Sequence, residues 1–488
     1  MNVFADQTAA AAPQVRGRTG ARLWARKDSW WAVAVVLAAG VVAAAFVANA
    51  QSRWDNYRTN AFDLAFFDQI IWNTSRGGWF QTTFVGYNFA GQHLEPILLL
   101  FVPAYWLGAG PPMLLATQAI MAAGAAIPLY AASRRFGLPA ALSTAVAASY
   151  LLNPYLHRAL DFDFHPEVMV ALPVFGAAWA MAAKRYRLAA VLALSTLLFK
   201  EDAAFVALAL AAVLWFEGAR REAMVTGVIA VAYAFIAVVI IMPIVRGGAS
   251  SDLVERYGYL VDTTRQSQFL PRLLTHPWVI PGHLFAPAQL WTMALFLGAS
   301  APLAALRPRL LVFLLPGLAV ALLASHPEQR ALELHYSAEV IPLAVLLGVL
   351  GARPALRRFA LPVVAGAVLL PVFIGFLALS PFSPQAERQH GPSSTHLAAL
   401  REGLEMVPND AMQEVSAQSS LLPRLSQRAN AWEFPQAAAR VEWVVVDRYT
   451  HRSTQAVSAG YDAALANVRA TFEQVYDRDG VEVFRRIR

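Results

Sequence analysis

The sequence predicts an all-α polytopic membrane protein that ends in a small C-terminal α/β domain. Three observations carry this reading. Of 488 residues, 57% are hydrophobic and only 15% charged, with a mean hydropathy of +0.45; soluble domains run at about a quarter charged. The apolar residues are gathered into long Ala/Val/Leu blocks separated by short charged segments, the pattern of successive membrane helices. From residue 381 onward the blocks stop and the composition becomes that of a soluble domain. The net charge of +7 and pI near 9.7 raise the question of nucleic acid. The arginines, however, sit in small clusters between apolar blocks, which fits positive-inside topology and excludes a nucleic-acid partner. The chain has no cysteine, so disulfide, thiolate-zinc and haem-attachment chemistry are absent.

Residues 1–28 are rich in Ala, Gln and Arg and are expected to be a disordered cytosolic N-terminus. The apolar run Trp30 to Ala50 is long enough to span and lacks a convincing cleavage site, so it reads as a retained first helix. Arg16, Arg18, Arg22, Arg26 and Lys27 precede it and place the N-terminus in the cytoplasm. Later clusters at 134–135, 184–187, 220–221, 307–309 and 353–358 must be separated by even numbers of crossings. Leu94 to Gly108, with Pro96 and Pro103, would rise only about 22 Å as a helix, so it reads as a juxtamembrane or re-entrant segment. About eleven spans remain, near 30–50, 112–132, 138–153, 167–183, 187–200, 203–217, 224–245, 286–304, 310–325, 338–352 and 360–380. The transmembrane domain is thus 29–380, with exterior loops 51–111 and 246–285. The tail, 381–488, is expected outside the membrane as a soluble α/β domain. Within it VEWVVVDR (441–448) reads as a buried strand, 454–473 as helical, and the residues around Asp479-Gly480 as a hairpin.

This topology collects the unusual polar residues on one exterior rim. In FDLAFFDQIIW (62–72), Asp63 and Asp68 are crowded by apolar neighbours on a helical wheel. LDFDFHPE (160–167) alternates Asp161, Asp163, His165 and Glu167 with phenylalanine. In an extended loop the period of two sends these groups to one side, where Asp161, Asp163 and His165 could hold a divalent metal; the competing reading is a solvated loop anchored by its Phe residues. FKED (199–202) lies between two short apolar blocks, which sets Lys200, Glu201 and Asp202 at a depth where charge is costly unless paired or facing a cavity. GQHLEP (91–96) adds His93 and Glu95, and LHYSAEVIP (334–342) adds His335 and Tyr336. Lys200, Arg256 and Arg265 are the candidates for an anionic head group.

The segments FDLAFFDQIIW, GQHLEP, DFHP, FKED and the His-Tyr pair before a late span resemble the bacterial polytopic family known as domain of unknown function 2079, from about residue 55 to the tail. Ala65 stands where glycine is expected and Leu94 where an aromatic is usual; neither change removes a chemical group. That family in turn looks like a distant relative of the GT-C membrane glycosyltransferases, such as protein O-mannosyltransferases and the aminoarabinose transferases of lipid A. The resemblance implies a GT-C-like fold in a bacterial plasma membrane. It also implies a polyprenyl-phosphate-linked sugar as donor, a cell-envelope acceptor, and a catalytic acid early in the first exterior loop. Asp63 occupies that position and His93 to Pro96 the following motif. Many GT-C enzymes carry adjacent acids, whereas Asp63 and Asp68 are five apart, so both remain candidates for the base, Asp63 first. The one candidate cofactor is a divalent cation such as Mg, Mn or Ca. The rival reading is a transporter or flippase of a lipid or polar envelope precursor. Such proteins place ionisable groups near the midplane on interrupted helices, often with inverted repeats, and this sequence shows neither feature.

Overall fold

The computed structural model describes residues 18–249, 251–386, 391–449 and 460–487, with side chains from Ser29 onward. Helices build the chain as far as Leu379, and one five-stranded sheet closes it. The first helix, Arg18–Asp55, begins inside the segment expected to be disordered; residues 1–17 of that segment lie outside the described residues. Its alanine-rich face, including Ala39 and Ala50, is buried and packs most extensively against Pro111–Gly124, whose Ala119, Ala122 and Ala123 are also buried. Small side chains on both faces let two helices approach closely, which is how helices associate where lipid offers no hydrophobic drive.

Four helical stretches are long and apolar enough to cross a membrane: Ser29–Asp55, Pro111–Arg135, Arg220–Arg246 and Leu361–Leu379. Each falls on an expected span. The other expected spans are shorter apolar helices such as Tyr186–Leu198 and Ala204–Phe216, which rise only about 20 Å. Length and composition thus support four of the eleven expected crossings as full-length spans. The polar FKED break between those two helices shows the reason: a hydrophobic block can be interrupted by a buried polar turn that belongs to a site.

In the tail, β1 (Val415–Ala417), β2 (Ala431–Glu433), β3 (Trp443–Asp447), β4 (Phe472–Arg478) and β5 (Val481–Arg486) take the order β2-β1-β3-β5-β4. β1 is parallel to β2 and β3, and β5 is antiparallel to β3 and β4. β3 is buried at all five positions, as its unbroken apolar run requires. Asp479 and Gly480 both have positive φ, 47° and 81°, and close the β4–β5 hairpin as a two-residue turn of that kind does. The helix expected over 454–473 runs Tyr461–Thr471, and residues 454–459 of it lie outside the described residues.

The sheet domain is bonded directly to the segment that follows the first helix. Arg424 stacks 3.7 Å from the Trp54 ring and donates to the Trp54 carbonyl at 2.7 Å. The Ala61 N–H donates to the Ser419 hydroxyl at 3.1 Å, Gln69 donates to the Arg428 carbonyl at 3.3 Å, and the Thr83 hydroxyl donates to the Ala431 carbonyl.

Candidate functional site

A cavity of about 780 Å³ opens beside this junction. It is lined by residues from all five polar segments: Asp63, His93, His165, Lys200 and His335 represent one each. Asp63 lies in Ala61–Ala65, where the chain is not a regular helix: Phe62 is extended (φ −90°, ψ 109°), and the regular helix starts only at Phe66. Asp63 and Asp68 thus do not share one continuous helical wheel. Phe62, Phe66 and Phe84 pack around this turn with ring centroids 5.2–5.5 Å apart.

The LDFDFHPE segment is set by the short helix Pro154–Leu160, which the Asn153 side chain caps by accepting from the Tyr155 and Leu156 N–H groups. Asp161 is still helical (φ −83°, ψ −2°), so the alternation expected from Asp161 fails at its first member. Its carboxylate accepts from Asn49 at 2.9 Å. Asp163 is fully buried and accepts from Arg53 at 2.7 Å and from the Asn60 N–H at 2.7 Å. His165 Nδ1 meets only the Asp163 backbone carbonyl, at 3.3 Å, and neither carboxylate joins His165 in a metal-ligating group among the described residues, so the metal set Asp161, Asp163 and His165 does not form.

His165 instead meets Asp63, with Nε2 2.8 Å from Oδ2, and its ring stacks on His335 with centroids 3.5 Å apart. Gln118 fixes the His165 backbone by accepting its N–H at 2.9 Å. Burial works against an imidazolium here, yet the Asp63 carboxylate wins and raises the His165 pKa. His335 has no such partner: burial and the neighbouring His165 hold it well below the usual imidazole value. Its Nδ1 is buried without a hydrogen-bond partner among the described residues. One carboxylate oxygen and one nitrogen of each ring lie within 4.8 Å of one another. A carboxylate and two imidazoles form a donor set suited to a divalent transition ion.

Around this cluster stand the other rim residues. Lys200 Nζ lies 3.1 Å from Glu167 and 3.9 Å from Asp202. His93 Nδ1 is 2.9 Å from Glu201, whose other oxygen accepts the Leu94 N–H at 3.0 Å. Glu95, Glu339 and Tyr336 also line the cavity. Arg256 donates to Gln329 at 2.5 Å and sits 5.9 Å over the Tyr336 ring, and Arg246 donates to Gln266 at 2.9 Å. Gly91 makes room for Arg246, because a Cβ there would lie 3.0 Å from the Arg246 backbone nitrogen. A long wall of Leu208, Val231, Val238, Leu260, Phe269 and Val320 completes the cavity.

Two further residues expected at the site lie elsewhere. Arg265 lines a separate groove with Thr264 and Arg272. Asp68 accepts from Tyr105 at 2.7 Å and, in the tail domain, from Ser426 at 2.7 Å and Gln427 at 3.2 Å. It is fully buried, and burial raises its pKa to about 6 against those three donors. A carboxyl whose pKa is raised by folding favours the folded state when protonated. Its contribution is therefore full below about pH 4 and is lost as pH rises through 6. Relative to Asp68→Asn, which does not titrate, the parent should lose thermal stability across that window; parallel melting profiles would refute this.

A model of the family described as predicted membrane protein, DUF2079, matches residues 53–483. The chain belongs to this family. Its matched region spans every DUF2079 segment described above, from Arg53 to the last strand, and the apolar helices make it a multi-pass membrane protein. Among solved structures, the archaeal oligosaccharyltransferase AglB of Archaeoglobus fulgidus, solved with an inhibitory peptide and a dolichol-phosphate, aligns at 12% identity and a TM-score of 0.47, over 94% of this chain and 74% of its own. No curated protein matches the DUF2079 chain.

Sequence reasoning passed over Arg53, which reads as an ordinary cation at a helix end. It also left Arg246 out of the candidates for an anionic head group, although Arg246 lines the cavity, its backbone close against Gly91.

Proposed function

We propose that the protein is a membrane glycosyltransferase that moves a sugar from a polyprenyl-phosphate donor to an envelope acceptor at the extracytoplasmic face, with inversion. The observation that carries this reading is Asp63: one carboxylate, held by His165, lining a cavity that apolar side chains of several helices also line. Asp63 is the base and not His165, because its side chain is 22% exposed against 4%. Both line the cavity, and the more exposed carboxylate is the more accessible to the acceptor hydroxyl's proton. As that oxygen attacks the anomeric carbon, the bond from carbon to phosphate oxygen breaks and the phosphate leaves with the electron pair. Arg246 and Arg256 suit this anion better than Lys200. Their recorded hydrogen bonds go to neutral Gln266 and Gln329, whereas Lys200 is paired with Glu167 and Asp202. The apolar wall accommodates the donor chain.

A divalent cation held by Asp63, His165 and His335 would supply positive charge to the leaving phosphate. It would also compete with the base role, so metal dependence separates the two. The test is transfer of labelled sugar from polyprenyl-phosphate donors by the purified protein in lipid. With Asp63 as base, transfer should survive EDTA within about twofold. Loss that Mg or Mn restores would make Asp63 a ligand instead, and no transfer from any such donor would sink the enzyme reading.

A further inference from the structure

The cavity holds more buried acidic side chains than this reaction uses. Glu95, Glu167, Glu201, Asp202 and Glu339 line it together with Lys200. Lys200 serves Glu167 and Asp202, and His93 serves Glu201. Five acidic side chains are thus served by one lysine and one histidine, Arg246 and Arg256 being bonded to Gln266 and Gln329, and no ion pair to Glu95 or Glu339 is recorded among the described residues. One buried oxygen on each of Glu95, Glu167, Asp202 and Glu339 has no hydrogen-bond partner there. Glu95 and Glu167 are themselves 1% and 4% exposed. Buried polar atoms are nearly always satisfied, and unpaired carboxylates within a membrane protein are costly and mark substrate or ion sites.

When ionised, the unsatisfied oxygens are acceptors only, and their complement is then a cation that donates hydrogen bonds. A bare metal ion does not suit them: among the described residues, the groups that close around a single point are Asp63, His165 and His335, and none of these five acids belongs to that set. An ammonium group suits them, because its three N–H donors reach separate carboxylates, as Lys200 already does. The acids also adjoin the reacting centre. Glu167 is two residues beyond His165, and Glu339 is four beyond His335, so the two segments that build the Asp63 cluster each supply one.

We propose that this acidic chamber binds an ammonium group carried by a substrate of the cavity, held by Glu95, Glu167 and Glu339 beside Lys200. The proposal rests on the cavity being the substrate site, and it is independent of whether a sugar is transferred. The test is thermal unfolding of the full-length protein in lipid nanodiscs with D-glucosamine, D-glucose, N-acetyl-D-glucosamine or ethanolamine. Glucosamine should raise the melting temperature, while glucose and N-acetylglucosamine should not. Glu95→Gln and Glu339→Gln should each weaken the glucosamine response by about tenfold. A response to glucosamine alone puts the amine on a sugar; an equal response to ethanolamine puts it on an acyclic head group or acceptor. Neutral probes as effective as amines, no response to either amine, or responses unchanged in both Gln variants would overturn the proposal. Intact amine binding without any glycosyl transfer would remove the enzyme reading and leave this one standing.

Discussion

Asp63→Asn should lower sugar transfer by roughly 10³-fold, within the range that a positioned general base contributes. The amide is isosteric, so the fold and the cavity should persist, and His165 should keep a neutral partner. The loss should therefore appear in kcat with KM for the lipid donor little changed, because the donor is held by the arginines and the apolar wall. A variant with more than a tenth of parental activity would show that Asp63 is not the base. His165→Gln should be milder: it removes the group that orients Asp63 and leaves the carboxylate. The two substitutions made together should cost little more than Asp63→Asn alone, since they act on one proton-accepting unit.

Arg53→Met should destabilise the protein by about 3–5 kcal/mol, the usual penalty for stripping a partner from a buried ion pair. Asp163 is 0% exposed and receives Arg53 at 2.7 Å; without the guanidinium it keeps only the two bonds from Asn60. Arg53 also donates to the Phe162 carbonyl at 2.6 Å and the Arg58 carbonyl at 3.2 Å, so one side chain ties the end of the first helix to both segments that build the site. The double variant Arg53→Met/Asp163→Leu should recover a large part of the loss, since no lone charge remains buried. Thermal unfolding of the protein in detergent measures both. A metal-binding role for Asp163 would instead leave the metal-free melting temperature of Asp163→Asn near the parental value.

The gathering of polar segments was legible because the loops are short and the basic clusters regular. Asp63, His93, Glu95, Lys200, Glu201, Asp202, Arg256 and His335 all line one cavity. Their pairings were not legible. Strict alternation needs an extended chain, and Asp161 is helical, so the run from 161 to 167 hands its acids to three different partners. Asp68 was misplaced because its environment lies 358 residues away, at Ser426. A wheel drawn on residues 62–72 shows apolar neighbours and cannot show a distant sheet domain. Length and composition bear out four of the eleven expected spans: hydropathy reads how apolar a block is, and short helices beside a polar turn are apolar without being long. In the tail, by contrast, strand and turn were local properties of WVVVD and Asp-Gly, and both were readable.

The bonds from the sheet domain to residues 54–83 carry a consequence for the order of synthesis. The ribosome makes the loop bearing Asp63 early and its braces, Ser419, Arg424 and Ser426, near the end. Until then the Ala61 N–H, the Trp54 ring and the Asp68 carboxylate wait without the partners that fix them. A nascent chain therefore holds the Asp63 turn unset, and the last hundred residues act as the clasp that finishes a cavity begun at the other end of the polypeptide.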